Sequence, residues 1–389
     1  MRIAAFNVEN LFDRARVFND DAPPSAHQPV LDAHAELNKL FEKDVYTPAD
    51  KARMLDLITL LGMLKSDEGS AEDAPLGGFT RIRRIREQLI RRPRDANLPR
   101  EIVADGRGDW VGWCELKTEP VDEQAMLNTA RVIADIAPDV LAVVEAESRP
   151  VLRKFHDQLS KRLNLAQRFA QIMLVDGNDD RGIDVGLATA PGFPIGAVTS
   201  HIHLMMTATE PVFSRDCPDY VVTTPSGARL HVLPNHFKSK MGGNDDASKT
   251  KRLAQANAAA DIYRALRAAG EDNIAILGDL NDTPDSAELA PLLTGTDLQD
   301  VSTHAAFTDF QYRADTGGRG IGTFDTGRDS LKIDYILLSP ALFAKVTLGG
   351  LFRKGAWTAS DRWDMYPTLT REVHAASDHH GLGAVAHAR

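Results

Sequence analysis

The chain has 389 residues, enough for two average domains or one large one. With 43% hydrophobic and 26% charged residues it can bury a core under a solvated surface, which excludes collagen, a mucin stalk and wholesale disorder. The 45 basic against 55 acidic side chains leave a formal charge of −10, which argues against a protein living by non-specific grip on phosphate backbones; a locally basic groove stays open.

In chain order, Ile3 to Val8 reads as a short strand running into the polar cluster Asn7-Val8-Glu9-Asn10. More than a hundred residues then intervene before the next elements and read as an insertion, at about 13–120, in one large domain. Its early part is acidic and rich in Ala and Pro. The segment 81–100 carries eight arginines against Glu87 and Asp95. It has three readings: a solvated helix face, a polyphosphate or nucleic-acid contact, or a partner-binding arm. Glu101 to Leu116 reads as a hairpin turning at Asp105-Gly106-Arg107-Gly108-Asp109, with Trp110 and Trp113 as core residues or base-stacking platforms.

A helix is expected from Asp122 to Ala137, ended by Pro138, and then the buried strand Asp139 to Val144. Extended segments follow at Ile183 to Thr189, Val198 to Met205, Tyr220 to Thr223 and Arg229 to Pro234. A helix from about Ser248 to Ala269 shows an apolar stripe of Leu253, Ala256, Ala260, Ile262 and Leu266, with Gly270 as its cap. The strands Asn273 to Leu277 and Lys332 to Ser339 and the closing run His374 to Ala388 complete the pattern, which favours an α/β or α+β sandwich. No uncharged apolar run approaches the ~20 residues that span a bilayer. Cys114 and Cys217 are too few for a disulfide framework or a zinc cluster and read as core or loop residues. No export signal is visible at Met1 to Glu9, so the expected location is cytoplasmic, with no obligate protein partner evident.

Polar groups recur where apolar runs end. Asn7 and Glu9 follow the first strand, Glu145 and Glu147 follow Leu141 to Val144, and Asn235-His236 follow Leu230 to Pro234. Asp279 and Asn281 follow Ile274 to Leu277, and Asp378-His379-His380 precede the last strand. Strand ends are where α/β ligand sites collect. Asp334 sits inside the apolar run Lys332 to Leu338, where a bare carboxylate costs several kcal/mol unless a cation or histidine compensates it. Asn7, Glu9, Glu145, Asp279 and Asp378 are hard oxygen donors suited to Mg2+ or Mn2+. With His236 and His379 beside them, the natural chemistry is hydrolysis at phosphorus.

The segments Phe6-Asn7-Val8-Glu9, Pro138 to Glu145, Leu233 to Ser239, Gly278 to Asp282, Lys332 to Ser339 and Ser377-Asp378-His379 resemble, in order, those of the endonuclease/exonuclease/phosphatase superfamily. The resemblance implies a four-layer α/β/β/α sandwich with two packed mixed sheets and the site at one end. It makes Glu145 the principal metal ligand, with Asn7, Glu9 and Asp378 nearby. Asp279 and Asn281 would position the attacking water and the phosphate, His379 would pair with Asp334, and His236 would contact the scissile phosphate. General base and general acid are not distinguished. Val144 stands where the family often has Gln, and Asp180 to Val185 resembles a stretch of its secreted bacterial nucleases.

Lys238 and Ser239, within the basic cluster Lys238, Lys240, Lys249, Lys251 and Arg252, are expected to touch substrate, as is Arg181. Asp184 reads as a partner of Arg181 or of a histidine, and Glu147 as a solvated charge. The expectation is a divalent-metal-dependent phosphoesterase, foremost a phosphodiesterase or nuclease acting on nucleic-acid or nucleotide-like diesters. A phosphatase of a small phosphorylated metabolite or lipid headgroup is the rival, and a non-catalytic binding module of the same fold is the third reading.

Overall fold

The structure, a computed structural model, describes residues 1–11, 17, 28–95, 98–117, 123–162, 169–179, 182–240, 245–308, 312–313 and 320–386, without the side chains of 10, 11 and 158–162. It comprises two compact units, Met1–Phe12 with Val121–Arg389, and Asp13–Pro120.

In the larger unit a seven-stranded mixed sheet runs Phe307–Thr308, Leu348–Phe352, Gly381–Val385, Arg2–Leu11, Val140–Ala146, Asp184–Thr189, Gln171–Val175. A six-stranded mixed sheet runs Gln299–Asp300, Asp334–Leu338, Ile274–Asp279, Arg229–His236, Asp219–Thr223, Ile195–Thr199. Side-chain parity explains how they pack. Ile3, Ala5, Val140, Ala142 and Leu187 of one sheet meet Leu230, Val232, Ala275, Leu277, Ile336 and Leu338 of the other in one buried cluster. The opposite faces are buried too, so these strands read as continuous apolar runs rather than alternating ones. Ala4, Phe6, Leu141 and Val143 lie under Ile133 and Ile136 of the helix Glu123–Ile136 and Leu152 and Phe155 of the helix Arg149–Arg162. Leu233, Ile274, Ile276 and Leu337 lie under the helix Asp246–Ala268. Helices outside two facing sheets make the α/β/β/α sandwich.

Three elements differ from the sequence reading. The long helix turns Ser248, Arg252, Gln255, Ala256, Ala259, Ala260 and Tyr263 inward, while Leu253 is 39% exposed. Small residues let the helix lie close to the sheet, and its buried polar residues have work at the site. Asp245 caps its start, accepting from Ser248 N at 2.8 Å, and Gly270 at φ +88° ends it. The strand expected to reach Met205 stops at Thr199, because His201 N and Nδ1 are tied to Asp216 Oδ1 and the Cys217 carbonyl instead of a ladder partner. The strand near 332–339 begins only at Asp334.

The smaller unit has its own core. The helices Gln28–Phe41 and Pro48–Leu60 pack Leu37, Phe41, Met54, Leu57 and Ile58 against Ile82, Ile90 and Trp110. Trp110 is fully buried, edge-on to Phe41 at 4.9 Å, and donates to Tyr46 Oη at 2.8 Å. The hairpin expected over 101–116 does not form. Val111–Leu116 pairs instead with Thr80–Arg86, and Glu101–Ile102 pairs with Ile90–Arg91. The arginine-rich stretch is therefore strand where a helix face had been one reading: Ile82 enters the core opposite Cys114, and the arginines flank it. Asn38 closes the far edge of Val111–Leu116, taking Cys114 N at 2.8 Å and giving to Cys114 O at 2.9 Å. Both cysteines are free and buried.

Candidate functional site

Parity and direction bring the polar strand ends together. Residues 3, 5 and 7 share a face, as do 275, 277 and 279, then 232, 234 and 236, then 334, 336 and 338. On each strand the intersheet face is apolar along its length and ends in Asn7, Asp279, His236 or Asp334. Strand pairing puts those ends side by side. Arg229–His236 runs parallel to Ile274–Asp279 with His236 opposite Asp279, and Asp334 lies opposite Asp279 across the antiparallel pair. Asn7 lies opposite Val144, next to Glu145.

The resulting cluster is tight. Asn7 Nδ2 lies 3.0 Å from Glu145 Oε1 and 3.4 Å from both Asp279 Oδ2 and His379 Nε2. His236 Nε2 stands 3.7 Å from Glu145 Oε1 and 3.7 Å from Asp279 Oδ2. His379 Nδ1 is 2.8 Å from Asp334 Oδ2, and its Nε2 is 3.8 Å from Asp279 Oδ2 and from Asp378 Oδ1. Glu9 Oε2 accepts from Asp378 N at 2.9 Å. Asn281 N donates to Asp279 Oδ1 at 2.8 Å, while its Nδ2 donates to the Phe237 carbonyl at 3.1 Å. Segments at the start, middle and end of the chain thus meet at one point.

The backbone is bent to achieve this. Glu9, Glu145 and Asn281 all have positive φ, at 46°, 67° and 54°, a region that non-glycine residues seldom occupy. Strand pairing also shifts register between Val144 and Ala146, so Glu145 is turned out of the ladder. Gly278, at φ +123°, allows the close approach of the two parallel strands: a Cβ there would lie 2.2 Å from the Asn235 carbonyl oxygen. Gly278→Ala is expected to pry His236 away from Asp279, lowering both activity and melting temperature. An unchanged melting curve and turnover would refute this account of the glycine.

The electrostatics follow from crowding. Glu9 and Asp378 lie at the exposed rim of the cluster, where partial desolvation, then the Asp378 charge, pushes the Glu9 carboxyl up to about 7. Burial, then Asp334, raises Asp279, and partial desolvation also raises Asp378. For His379 burial acts downward, but the Asp334 carboxylate outweighs it and the imidazolium is favoured. Carboxyl groups forced together in this way, with amide and imidazole donors between them, suit a hard dication, which would relieve their repulsion. Ligand atoms of Asp279, Asp334 and His379 all lie within 4.8 Å of one another. Asn7, Glu9, Glu145 and Asp378 surround the same point.

Arg252, read from the sequence as part of a basic cluster, and Gln255, which the sequence reading did not single out, hold the site's loops. Arg252 is fully buried; its Nε donates to Asp282 Oδ2 at 2.9 Å and its Nη1 to the Lys238 carbonyl at 3.2 Å. Gln255 Oε1 accepts from Lys238 N at 2.9 Å. The segment after His236 and the segment after Asp279 are thereby clamped to one helix. The signal was present: 252, 255, 256 and 259 share a helical face with three alanines just beyond. The basic cluster is accordingly not a free patch, since Lys240 pairs with Asp282 and Lys251 Nζ lies 2.9 Å from Glu210 Oε1. Lys238 and Ser239 follow the site strand directly and are half-buried, as is Glu147. Arg181 lies outside the described residues. Asp184 is buried opposite Ala146, and burial together with Asp176, rather than a histidine, raises its carboxyl to about 8.

Residues 113–356 match the endonuclease/exonuclease/phosphatase family. No curated protein matches the chain. Among solved structures, TDP2 of Caenorhabditis elegans is similar at 18% identity, covering 68% of this chain and 90% of its own, with a TM-score of 0.47. A mannosyl-6-phosphatase of Bacteroides thetaiotaomicron is similar at 14% identity, over 68% and 91% of the two chains, with a TM-score of 0.47. The human nocturnin catalytic domain is similar at 16% identity, over 70% and 89%, with a TM-score of 0.47. With nearly two thirds of its length inside that match, the chain belongs to the endonuclease/exonuclease/phosphatase family, whose enzymes are metal-dependent phosphoesterases.

Proposed function

We propose that the chain is a hydrolase of phosphodiesters in nucleic acids or nucleotide-like molecules, dependent on Mg2+ or Mn2+. The 13–120 unit is read as an insertion in a single catalytic domain. One observation carries the reading: Asn7, Glu145, His236, Asp279, Asp334 and His379 share one buried point at the end of two packed sheets.

Glu145, Asn7, Glu9 and Asp378 would hold the ion, whose chemistry is to polarise a phosphoryl oxygen and stabilise the charge that develops there. Asp334 fixes the His379 ring through Nδ1, so that Nε2 faces Asn7, Asp279 and Asp378. From there Nε2–H can donate to a phosphate oxygen. Asp279, between the two histidines, would accept a proton from the attacking water, with the Asn281 N–H held to its other oxygen. His236 is assigned to contact the scissile phosphate through Nε2. Lys238, Ser239 and Arg181 are assigned to substrate. The free, buried thiols of Cys114 and Cys217 support a cytoplasmic location. Among the described residues no helix is long and apolar enough to cross a membrane.

EDTA is expected to abolish hydrolysis, with Mg2+ or Mn2+ restoring it. The same ions should raise the melting temperature of the wild-type protein more than that of Glu145→Ala. Full activity in EDTA removes the metal from the proposal. Turnover of plasmid DNA, single-stranded DNA, RNA and bis(p-nitrophenyl) phosphate over p-nitrophenyl phosphate supports the diesterase. The reverse preference assigns a phosphatase.

A further inference from the structure

The ribbon formed by Thr80–Arg86 and Val111–Leu116 has one face in the core of the smaller unit and the other outside it. On the inner face Ile82 lies opposite Cys114. On the outer face Arg81 lies opposite Glu115 and Arg83 opposite Trp113. Register shifts between Arg84 and Arg86, so that Arg86 lies opposite Val111 and joins the outer face beside Arg83. Strict alternation would have turned it inward. The bulge thus puts Arg81, Arg83 and Arg86 on the face that carries Trp113.

That indole is unusual. Trp113 is 41% exposed, whereas Trp110 and Trp363 are almost completely buried. Tryptophan is costly to leave in water, and next to arginines it offers a stacking surface with a cationic rim. Arg81 and Arg83 are held through Nε, 2.5 and 2.7 Å from Glu115 Oε2. This fixes their planes while using the edge that a phosphate grip through the two Nη groups does not need. Arg86 is fully on the surface side of the strand and exposed. With Glu68 bridged opposite Arg81 and paired with Lys117, the face carries four cations against two carboxylates and stays positive within a chain of net charge −10.

We propose that this outer face binds single-stranded nucleic acid, with Trp113 stacking on a base and Arg81, Arg83 and Arg86 contacting the flanking phosphates. A single strand is specified because an indole can stack only on a base freed from its duplex neighbours. The inference deepens the nuclease reading by naming a strand type, and it rests on that reading only for its biological sense.

The test is fluorescence anisotropy of a labelled oligo(dT) strand with the full chain in EDTA, where no cleavage occurs. Binding is expected to quench tryptophan emission. Trp113→Ala should weaken binding about ten-fold or more and remove the quench, while Trp113→Phe keeps most of the affinity. Arg86→Glu should weaken binding and reduce the slope of log affinity against log salt by roughly one. All three variants should retain wild-type circular dichroism and wild-type hydrolysis of bis(p-nitrophenyl) phosphate in magnesium. No binding, a preference for duplex, or affinity indifferent to Trp113→Ala and Arg86→Glu overturns the inference. Wild-type protein that binds the strand but leaves every phosphodiester intact overturns the catalytic reading and leaves this one standing.

Discussion

His379→Ala is expected to lower kcat for phosphodiester hydrolysis by about a thousand-fold while leaving the protein folded. The imidazole touches the carboxylates of Asp334, Asp279 and Asp378 and the amide of Asn7, so it links each group assigned to the water, the ion and the phosphate. Its hydrogen bonds and ion contacts are with polar groups, and the ring of Phe324 lies 5.0 Å away. Asp334→Asn should cost about a hundred-fold or more, because an amide can hold the ring but cannot favour its charged form. Asp279→Ala should approach the His379 effect. The check is steady-state kinetics at saturating magnesium beside thermal unfolding. Variants of His379 and Asp279 that both keep wild-type turnover would defeat the site assignment.

The second large effect is on stability. Arg252→Met should destabilise the protein by about 3 kcal/mol, because the Asp282 carboxylate stays buried and keeps only the partly exposed Lys240 as its cation. Activity should fall as well, since the Lys238 carbonyl loses its donor and the segment after His236 is released. Arg252→Lys should recover part of the stability and less of the activity: one ammonium cannot reproduce a planar fork reaching two acceptors. Denaturant unfolding of both variants measures the first claim and kcat the second. An unfolding midpoint equal to wild type in Arg252→Met would show that the clamp is unimportant.

The sandwich was legible because its central strands are buried on both faces. Runs such as Leu141 to Val144 and Ile274 to Leu277 admit few other readings, and the polar residue ending each run marks where the core stops. The clustering of the candidate residues was legible for the same reason: a carboxylate at the edge of an apolar strand needs a partner. The structure supplied what periodicity does not carry. Arg81 to Arg86 has no intrinsic claim to be strand; Cys114 and Trp113 across the ladder settle it. The glycines and aspartates at 105–109 signal a turn correctly, but a turn does not choose its strands' partners, and both strands paired upstream. Arg252 was hidden by composition, since arginine in a lysine-rich stretch reads as solvent-facing until the alanines beside it show which way the helix is turned.

The unfavourable dihedrals at Glu9, Glu145 and Asn281 limit how this protein can be made hardier. Glycine at these positions would relax the chain and gain a little stability, yet each exchange would delete a carboxylate assigned to the ion or the Asn281 side-chain amide that holds the Phe237 carbonyl. Attempts at thermal hardening should therefore leave these three codons untouched and look to the surface loops, where stiffening does not compete with turnover.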